Sequence, residues 1–535
     1  MTRAMSPRFV RPPNSNRVMT AYATDHFSNL PEPDPPHERD AARDSATTAQ
    51  EALRRVALAE SLAGLNPRPA YSSVVLAGIV RLIEFAIMAG AGAAAHVAYL
   101  GFGWSMDVTV AIAAIAVLSL AAFQTLGVNT VTALRDPTYA ILRMAGGWSF
   151  AFLLALAAIF FLKHDLAYSR VWLMSWFLTG IALLMFERLA VSVVVRRMTA
   201  SGSLERRTVI VGGGPAGEEV LRELTAQRHT DLRICGVFDD RAEDRSPDVV
   251  VGFPKLGTVD DLVEFARRTR IDLIIFTLPI TAEERILQML RKLWVLPIDI
   301  RLAAHANKLR FRPRSYSWIG SVPVLDVFDK PIADWDVVVK NVFDRVVGAL
   351  SLILLLPVMA LIALAVKLDS RGPVLFRQKR HGFNNEEIEV FKFRSMYVDQ
   401  LDHNAAKQVT RGDPRVTRVG RFIRKTSLDE LPQLFNVVFK GNLSLVGPRP
   451  HALYATAAEH PYEVVVDGYF ARHRVKPGIT GWAQIHGWRG ETDTPEKIQK
   501  RVECDLYYIE NWSLLLDLYI LAATPFALIK AENAY

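Results

Sequence analysis

Apolar stretches separated by short polar loops fill the chain from about residue 72 to residue 195. Each stretch lacks charged residues over roughly 20 positions, which is the length of helix that crosses a bilayer. They occupy residues 85–106, 108–134, 144–162 and 171–195, and only Glu187-Arg188 interrupts the last one. The pattern predicts a four-helix transmembrane bundle over residues 71–198. Buried helices of a soluble core are the alternative, which these lengths disfavour.

Basic residues mark one side of this bundle. They precede the first stretch, lie between the second and third, and follow the fourth, whereas the loop between the first and second has no Lys or Arg. Basic flanks stay in the cytoplasm, so both ends of the bundle are expected there. The residues concerned are Arg54, Arg55, Arg68, Arg135, Arg143, Arg196, Arg197, Arg206 and Arg207.

Residues 205–310 alternate between short β-runs and amphipathic helical segments. RRTVIVGGG is a β-run that enters a glycine turn, and the helical AGEEVLRELTAQ follows it. DLRICGVFDD and IDLIIFTLP are further β-runs with a helical segment between them. This βαβ alternation predicts a parallel sheet in a Rossmann-like α/β domain.

The glycine turn has the spacing of a dinucleotide-binding fingerprint. Gly212, Gly214 and Gly217 fit G-x-G-x-x-G, and Asp239 ends the next β-run, where a ribose-binding carboxylate would lie. A turn that only packs a helix on a strand has the same spacing. No Tyr-x-x-x-Lys pair follows in this domain, so the packing interpretation is favoured and a nucleotide site at these four residues is the weaker alternative.

An uncharged run between residues 346 and 366 contains Pro357. At about 1.5 Å per residue it extends roughly 32 Å, just enough to cross a bilayer. Both flanks are basic, however, and a crossing would move one of them out of the cytoplasm. Proline removes a backbone donor and bends a helix. The run therefore predicts a re-entrant helix–break–helix over residues 343–368, with Pro357 at the break. A single crossing is the alternative.

Basic residues become dense after this run, in a chain with a formal net charge of +8. Arg380, Arg394 and Arg424 are among them, with Lys392 nearby. A charge run of this kind is usually a solvated or headgroup-binding face. The sharper interpretation is a phosphate pocket, because the planar guanidinium matches phosphate oxygens. Nucleic acid is disfavoured as a partner, since the chain is predicted to be embedded in a membrane.

The segment TSLDELPQLFNVV allows two alternative interpretations, a helix cap and a catalytic carboxylate pair. Ser427-x-x-Glu430 before an apolar run has the spacing of a helix capping box, which is the favoured interpretation on spacing alone. Asp429 and Glu430 are alternatively working carboxylates at a helix start, where backbone donors favour an anion. In NLSLVGPRP, Arg449 lies between two prolines. That loop either holds a guanidinium rigidly toward a substrate or is a stiff surface turn.

Two further features limit the class of protein. Residues 1–70 are rich in proline and charge and poor in large apolar side chains, so they are expected to be disordered. They have no apolar core with a cleavage site, so no secretory signal is expected. The two cysteines, Cys235 and Cys504, are far apart, which predicts reduced thiols and no zinc site.

Several ordered blocks carry a family resemblance. The segment NVFDRVVGALSLILLLPVMALIALAVKLDSRGPVLFRQKRHG is followed by VFKFRSM, RKTSLDELPQLFNVV, GNLSLVGPRP and RHRVKPGITGWAQIHG. Together they closely resemble the bacterial sugar transferase family, the monotopic polyprenyl-phosphate hexose-1-phosphate transferases. The predicted spans and Rossmann-like domain resemble the long form of that family, typified by undecaprenyl-phosphate glucose phosphotransferases. The resemblance places an α/β monotopic catalytic domain at residues 338–535.

The resemblance assigns roles to residues of this chain. It implies Asp429 as nucleophile and Glu430 as its partner, with Mg²⁺ bound at this pair. It implies phosphate recognition by Arg424 and Arg449, to which the basic run adds Arg394 and Arg380. Two departures from the family pattern are the replacement of a common Ser-Pro break by Leu356-Pro357 and of an Asn-Gly turn by Asn384-Asn385. The second is expected to be tolerated, because Asn also adopts positive φ.

The implied function is transfer of a hexose 1-phosphate from a UDP-sugar to undecaprenyl phosphate, with release of UMP, as the first membrane step of exopolysaccharide assembly. Glucose is the expected hexose and galactose the alternative. The implied partners are the UDP-sugar, undecaprenyl phosphate and the lipid bilayer, and a homo-oligomer is left open. The implied location is the bacterial inner membrane, with the catalytic domain on its cytoplasmic face.

Two other classes share the front half of this chain. A membrane nucleotide-sugar dehydratase that uses NAD would need a second glycine fingerprint and Tyr-x-x-x-Lys, and neither occurs after residue 340. A non-catalytic assembly partner would not need Asp429, Glu430, Arg424 and Arg449 together. The transferase is therefore the favoured hypothesis.

Overall fold

A computed structural model describes most of the chain after residue 70. The described residues are 71–161, 168–227, 231–241, 247–279, 282–304, 317–319, 321–398, 413–451, 456–457, 460–466, 468–488, 490 and 494–530. The disorder predicted for residues 1–70 concerns residues outside this range.

Four long apolar helices come first, with a short one between the second and third. Their bounds are Ser73–Leu100 (α1), Met106–Thr125 (α2), Val131–Arg135 (α3), Pro137–Phe161 (α4) and Arg170–Ala200 (α5). By length and composition the four long helices could each cross a membrane. Ser72, Ser105 and Ser169 begin three of them by accepting backbone N–H groups, as N-cap residues do.

Tryptophans fill the space between these helices. Trp172 and Trp176 of α5 are fully buried, and their indole N–H groups donate to the carbonyls of Gly92 (2.9 Å) and Met88 (2.8 Å) on α1. Gly92 allows this approach, since a Cβ there would overlap the Trp176 ring. Large aromatic rings set against a glycine therefore fix how α1 and α5 pack.

The helices also enclose a polar cluster. Glu84 of α1 and Arg188 of α5 form an ion pair with no exposed surface, and both also bond to the Asn129 amide, at 2.8 and 2.9 Å. A charge buried in an apolar environment requires such partners. The interruption at Arg188 in the fourth apolar stretch is thus accommodated inside the protein.

A mixed α/β domain follows. Its strands are Arg206–Val211 (β1), Leu232–Phe238 (β2), Val249–Val250 (β3), Phe253–Gly257 (β4), Leu273–Phe276 (β5), Asp299–Ala303 (β6), Ser317–Ile319 (β7) and Val322–Phe328 (β8). Its helices are Pro215–Ala226 (α6), Val259–Arg268 (α7) and Glu283–Leu293 (α8).

The strands form one sheet in the order β3-β4-β2-β1-β5-β6-β8-β7. The five central strands β4, β2, β1, β5 and β6 are parallel, which confirms the predicted Rossmann-like winding. Antiparallel pairs flank this centre, β3 with β4 on one side and β8 with β6 and β7 on the other, a feature that the sequence pattern did not predict. All four residues of β5 are buried, as expected for a parallel strand covered on both faces.

The third part begins with a 36-residue helix, Asp334–Asp369 (α9). Pro357 lies inside it, and the helix is not interrupted there, so the predicted helix–break–helix over residues 343–368 is wrong in this respect. One proline removes one backbone donor, and the remaining hydrogen bonds of the turn carry the helix past it. Several apolar side chains of α9 are largely exposed, among them Ile353, Leu354 and Leu361.

Both halves of α9 pack on the same hydrophobic core. Leu352 lies before the proline and Ile362 and Val366 after it, and all three join one buried cluster with the strands and helices downstream. At the end of α9, Asp369 accepts a hydrogen bond from the Val419 N–H (3.0 Å). The two flanks of the apolar run therefore belong to one folded body.

Polar bonds fix the first half of α9. Lys340 Nζ donates to the Val446 carbonyl (3.1 Å) and to Asp517 Oδ2 (2.6 Å). Asp344 Oδ1 accepts from the Leu445 N–H (3.2 Å). The Tyr508 hydroxyl donates to the same Val446 carbonyl (3.0 Å). These groups are all buried, so they tie α9 firmly to the rest of this part.

The remaining elements are short strands, helices and turns, together with two longer helices near residue 500 and after it. The strands are Leu375–His381 (β9), Glu387–Phe393 (β10), Ser444–Val446 (β11), Thr456–Ala457 (β12), His460–Pro461 (β13) and Gly478–Thr480 (β14). The helices are Arg418–Lys425 (α10), Gln433–Phe435 (α11), Tyr462–Val465 (α12), Trp482–Ile485 (α13), Pro495–Glu510 (α14) and Leu514–Lys530 (α15). Phe383–Asn385, Leu428–Glu430 and Tyr469–Arg474 are 3₁₀-helical, and Asn436–Lys440 is a π-helical turn.

The turn between β9 and β10 contains the Asn384-Asn385 pair. Both residues have positive φ, 50° and 62°, which confirms the expectation drawn from the residue type. Asn384 Nδ2 also donates to the Ala266 carbonyl of α7 (3.1 Å). The turn thus links the third part to the Rossmann-like domain.

Candidate active site

Asp429 and Glu430 lie on the 3₁₀ turn Leu428–Glu430, directly after α10. The turn is entered through Ser427, whose φ is 59° in the left-handed region. The Ser427 side chain makes no capping bond, and its Oγ is buried without a partner among the described residues. The capping box favoured by the spacing is therefore wrong, because a left-handed residue cannot aim its hydroxyl at the following N–H groups.

Two cations hold the Glu430 carboxylate. Lys392 Nζ on β10 donates to Oε1 (2.8 Å), and the Arg449 guanidinium donates to both oxygens, with 3.1 Å from Nη1 to Oε2. Burial alone would raise the pKa of Glu430, but these two cations outweigh it and hold that pKa well below the usual range. Glu430 is therefore an ionised and fixed group.

Asp429, unlike Glu430, has no bonded partner for its carboxylate among the described residues. It is half-buried, and no hydrogen bond or ion pair joins its carboxylate to another described residue. Burial, together with the neighbouring Glu430 carboxylate, raises the pKa of Asp429 to about 6. Lys392 and the nearby arginines offset this only in part. Asp429 thus presents a carboxylate whose oxygens are not committed to a partner, which is what a nucleophile requires.

The Pro-Arg-Pro loop carries Arg449 to Glu430 and is itself supported from behind. Arg472, fully buried, donates from Nη2 to the Arg449 carbonyl (2.6 Å) and pairs with Asp505 (2.6 Å). Arg380 donates to the Pro450 carbonyl (2.8 Å). Burial and the adjacent Arg449 lower the pKa of Arg380 to about 10. Arg472 and Arg380 therefore fix the backbone of this loop, so it is not a free surface turn.

Three of the four predicted phosphate-binding arginines lie near the Asp429–Glu430 turn, and the fourth does not. Arg449 and Arg380 lie together at the loop, and Arg424, in the last turn of α10, is close enough to influence the Asp429 carboxyl group. Arg394 is elsewhere. It is buried, and its guanidinium donates to the carbonyls of Ser370 (2.8 Å) and Arg371 just beyond α9. Arg394 is thus engaged in ending that helix.

Lys392 and Arg472 are the residues that the sequence interpretation did not assign to the site. Lys392 stood only among the many basic residues, although a lysine between two phenylalanines on a strand was a usable signal. Its pairing with Glu430 spans 38 positions of the chain. Arg472 had no local signal, because its role depends on a carbonyl 23 positions away.

The glycine fingerprint of the Rossmann-like domain is packed closely. A Cβ at Gly217 would overlap the Gly212 carbonyl oxygen, and Gly212 has a φ of 108°. Asp239 accepts the Gly213 N–H (2.7 Å) and the Arg241 N–H (3.0 Å). Both oxygens of the carboxylate that would bind a ribose are thus engaged with the backbone. The engaged Asp239 carboxylate favours a packing turn over a nucleotide site, and the choice between them stays a prediction.

The donor set around Asp429 suits a metal only together with a substrate. Within the described part of the chain, no three His, Cys, Asp or Glu side chains converge as metal ligands. Mg²⁺, however, is commonly held by one or two carboxylates plus substrate phosphates. Asp429 provides a carboxylate whose oxygens are free of cations from the described residues, whereas both Glu430 oxygens already bond to Lys392 and Arg449. The site therefore fits a magnesium ion that Asp429 shares with a diphosphate, and Glu430 would join it by exchanging one of these contacts.

Comparison with known proteins gives two family matches. Residues 335–531 match the bacterial sugar transferase family, and residues 124–304 match a family described as a CoA-binding domain. The first match covers α9, the Asp429–Glu430 turn and the Pro-Arg-Pro loop. The second covers most of the Rossmann-like domain and the helices α4 and α5 before it.

Curated relatives resemble both halves. The UDP-glucose:undecaprenyl-phosphate glucose-1-phosphate transferase of Klebsiella pneumoniae is 38% identical over 389 residues, which cover 72% of this chain and 81% of that protein. The protein of the same name from Escherichia coli is 37% identical over 68% of this chain and 76% of its own length. The undecaprenyl-phosphate glucose phosphotransferase of Komagataeibacter xylinus is 39% identical over 68% of this chain and 66% of its own length.

Proposed function

Since the chain belongs to the bacterial sugar transferase family, we propose that it transfers glucose 1-phosphate from UDP-glucose to undecaprenyl phosphate and releases UMP. The observation that supports this function most directly is that the two adjacent carboxylates differ in their partners. Glu430 is held ionised by Lys392 and Arg449, whereas Asp429 beside it has no committed partner.

In the first step an Asp429 carboxylate oxygen attacks the β-phosphorus of UDP-glucose. The bond from that phosphorus to the bridging oxygen breaks, UMP leaves, and Asp429 carries the glucose phosphate as an acyl phosphate. Arg449 and Arg424 lie close enough to stabilise the negative charge that builds on the phosphate oxygens. Glu430 fixes the direction of the Arg449 guanidinium through its two-oxygen contact.

In the second step a phosphate oxygen of undecaprenyl phosphate attacks the phosphorus of the adduct. The bond to Asp429 breaks, which regenerates the carboxylate and leaves a lipid-linked diphosphate sugar. Splitting the transfer in this way lets one pocket serve a water-soluble and a lipid substrate in turn. Mg²⁺ held by Asp429, Glu430 and the diphosphate would supply charge neutralisation at the phosphates.

The membrane arrangement forms part of the proposal. The helices α1, α2, α4 and α5 are assigned as four spans, with both ends of this bundle in the cytoplasm of a bacterial inner membrane. Helix α9 is assigned as a re-entrant element, because both of its halves pack on one core and both flanks are basic. The domain assignment is 71–198 for the spans, 205–310 for the Rossmann-like domain and 338–535 for the catalytic domain, with β7 and β8, up to Phe328, added to the sheet of the Rossmann-like domain.

The covalent step is tested with the full-length protein in lipid nanodiscs. Wild-type protein incubated with UDP-glucose alone should release UMP in an amount close to that of the enzyme, and a phosphohexose should be found by mass spectrometry on the Asp429 peptide. Asp429→Asn should lower UMP release by roughly three orders of magnitude or more, because an amide cannot attack phosphorus. Glu389→Gln, an exposed acidic residue on β10, is the matched control.

Near-normal turnover in folded Asp429→Asn protein would contradict the covalent mechanism. Repeating the assay with UDP-galactose in place of UDP-glucose tests the sugar. A faster burst of UMP with UDP-galactose would replace glucose as the assigned hexose and leave the mechanism intact.

A further inference from the structure

A cavity of about 270 Å³ adjoins the catalytic turn, with Ser427 and Glu430 among its lining residues. One wall is the middle of α9, at Ser351 and Leu355, just before Pro357. Another wall is the helix α15, at Leu521, Pro525 and Ala527. The cavity thus lies between two apolar helices of the catalytic domain.

The cavity is polar at one end and apolar along the rest. Glu430, Arg449 and Ser427 line the polar end, and the Ser427 Oγ is the buried hydroxyl that lacks a partner among the described residues. Thr480 and Thr524 also line the cavity, and their hydroxyls bond to each other (2.8 Å). Gln484 lines it as well, and its Oε1 is a buried acceptor without a partner among the described residues. Apart from Gln484 and Ser351, the remaining lining is apolar.

This lining disfavours the water-soluble substrate as the occupant of the apolar part. A uracil ring or a sugar placed against leucine, proline and alanine would lose most of its hydrogen bonds to water without replacing them. A hydrocarbon chain is instead stabilised by every part of its surface that it removes from water. The ligand that fits both ends is a phosphate attached directly to a hydrocarbon chain.

We propose that this cavity binds the first isoprenoid units of the lipid acceptor, with the lipid phosphate at Arg449 and Ser427 and the chain between α9 and α15. The proposal rests on the proposed function, since it presupposes a polyprenyl phosphate as second substrate. It assigns α15 to acceptor binding. It also places the attacking phosphate beside Asp429 from the membrane side, so that the nucleotide approaches from the other side.

The two half-reactions separate this role from the catalytic one. Ala527→Trp should fill the apolar part of the cavity without touching Asp429, Glu430 or Arg449. In this variant the burst of UMP from UDP-glucose alone should stay within about two-fold of wild type, whereas transfer from the adduct to undecaprenyl phosphate should fall at least about ten-fold. Leu518→Trp is the matched control, since Leu518 is on the same helix but exposed and outside the cavity.

The outcomes are distinguishable. A wild-type protein that forms no adduct contradicts the proposed function itself. A normal adduct with unimpaired transfer in Ala527→Trp contradicts the acceptor site. An equal loss of transfer in Leu518→Trp would mean that α15 acts through its membrane contact, and it would also overturn the proposal.

A second measurement uses unaltered protein and so does not depend on how a variant folds. Wild-type protein in nanodiscs is irradiated with a polyprenyl phosphate that carries a photoreactive diazirine in its first isoprenoid units. Crosslinks are expected on the peptides that contain Leu355 and Ala527, and excess undecaprenyl phosphate should remove them whereas excess phospholipid should not. Crosslinks confined to other helices, or crosslinks displaced equally by phospholipid, would overturn the assignment.

Discussion

Lys392 acts on two neighbouring carboxylates at once. It pairs directly with Glu430, and its charge also lowers the pKa of Asp429. Since the nucleophile must be ionised, we expect UMP release by wild-type protein to fall as the pH drops through about 6, where Asp429 takes up a proton.

Removing the lysine charge should move that dependence. Lys392→Met takes away a cation that favours ionised Asp429, so the pKa of Asp429 should rise and the acid limb of the rate profile should shift to higher pH. The measurement is the pH dependence of the UMP burst with UDP-glucose alone. Lys379→Met, an exposed lysine on the adjacent strand, should leave the profile unchanged. An unshifted limb in folded Lys392→Met protein would show that another group controls it.

Single residues also show where interpretation of the sequence reaches its limit. The family resemblance singled out Asp429 and Glu430, whereas local spacing favoured a capping box at Ser427 that does not form. The difference is one backbone angle, the φ of 59° at Ser427, which spacing does not encode. The Lys392 contact depends on how β10 approaches the turn, a tertiary arrangement that no local pattern contains.

At the scale of elements, one detail predicted for α9 is wrong and its sidedness stays a prediction. The basic flanks predict that both ends of the apolar run stay on one side of the membrane, and both halves of the helix pack on one core. The break expected at Pro357 is absent, since a helix tolerates the loss of one donor when its neighbouring turns are packed. A bend, and not an interruption, is the most that this proline contributes.

The sidedness of α9 can be measured with single cysteines placed in a background that lacks Cys235 and Cys504. Asp336→Cys before the apolar run and Lys379→Cys after it are both at exposed positions. We expect an impermeant maleimide to label both only from the cytoplasmic side. Gly103→Cys, in the loop between α1 and α2, should be labelled only from the opposite side. Labelling of Lys379→Cys from the outside would establish a crossing helix.

At the scale of the whole molecule, the alternation of strands and helices was sufficient to predict the parallel centre of the sheet. It could not predict the antiparallel strands β3, β7 and β8. Strands β3 and β7 have only two and three residues, and β7 and β8 lie beyond residue 310, where the predicted alternation ends. The contact of Asn384 with Ala266, which joins the two domains, was equally outside any local pattern.

The Rossmann-like domain should act as a folded support and not as a redox site. Gly217→Ala should destabilise the protein by about 1–3 kcal/mol, because the added Cβ overlaps the Gly212 carbonyl. Gly214→Ala should be milder, because its Cβ would meet only the movable end of the Arg241 side chain. Thermal unfolding compares the two variants. UMP release by the wild type should not change on adding NAD or NADP, and a requirement for either would overturn this assignment.

The bonds that converge on the Val446 carbonyl have a mechanical consequence. Val446 comes three residues before Arg449, and buried groups from α9 and α14, Lys340 and Tyr508, hold its carbonyl at 3.1 and 3.0 Å. Asp517 of α15 binds both of those groups as well. In the proposed arrangement the depth of α9 and α15 in the bilayer therefore sets the height of the catalytic loop above the membrane surface. A thicker or thinner membrane would move both helices and the loop together, so the distance between the lipid phosphate and Asp429 would stay the same.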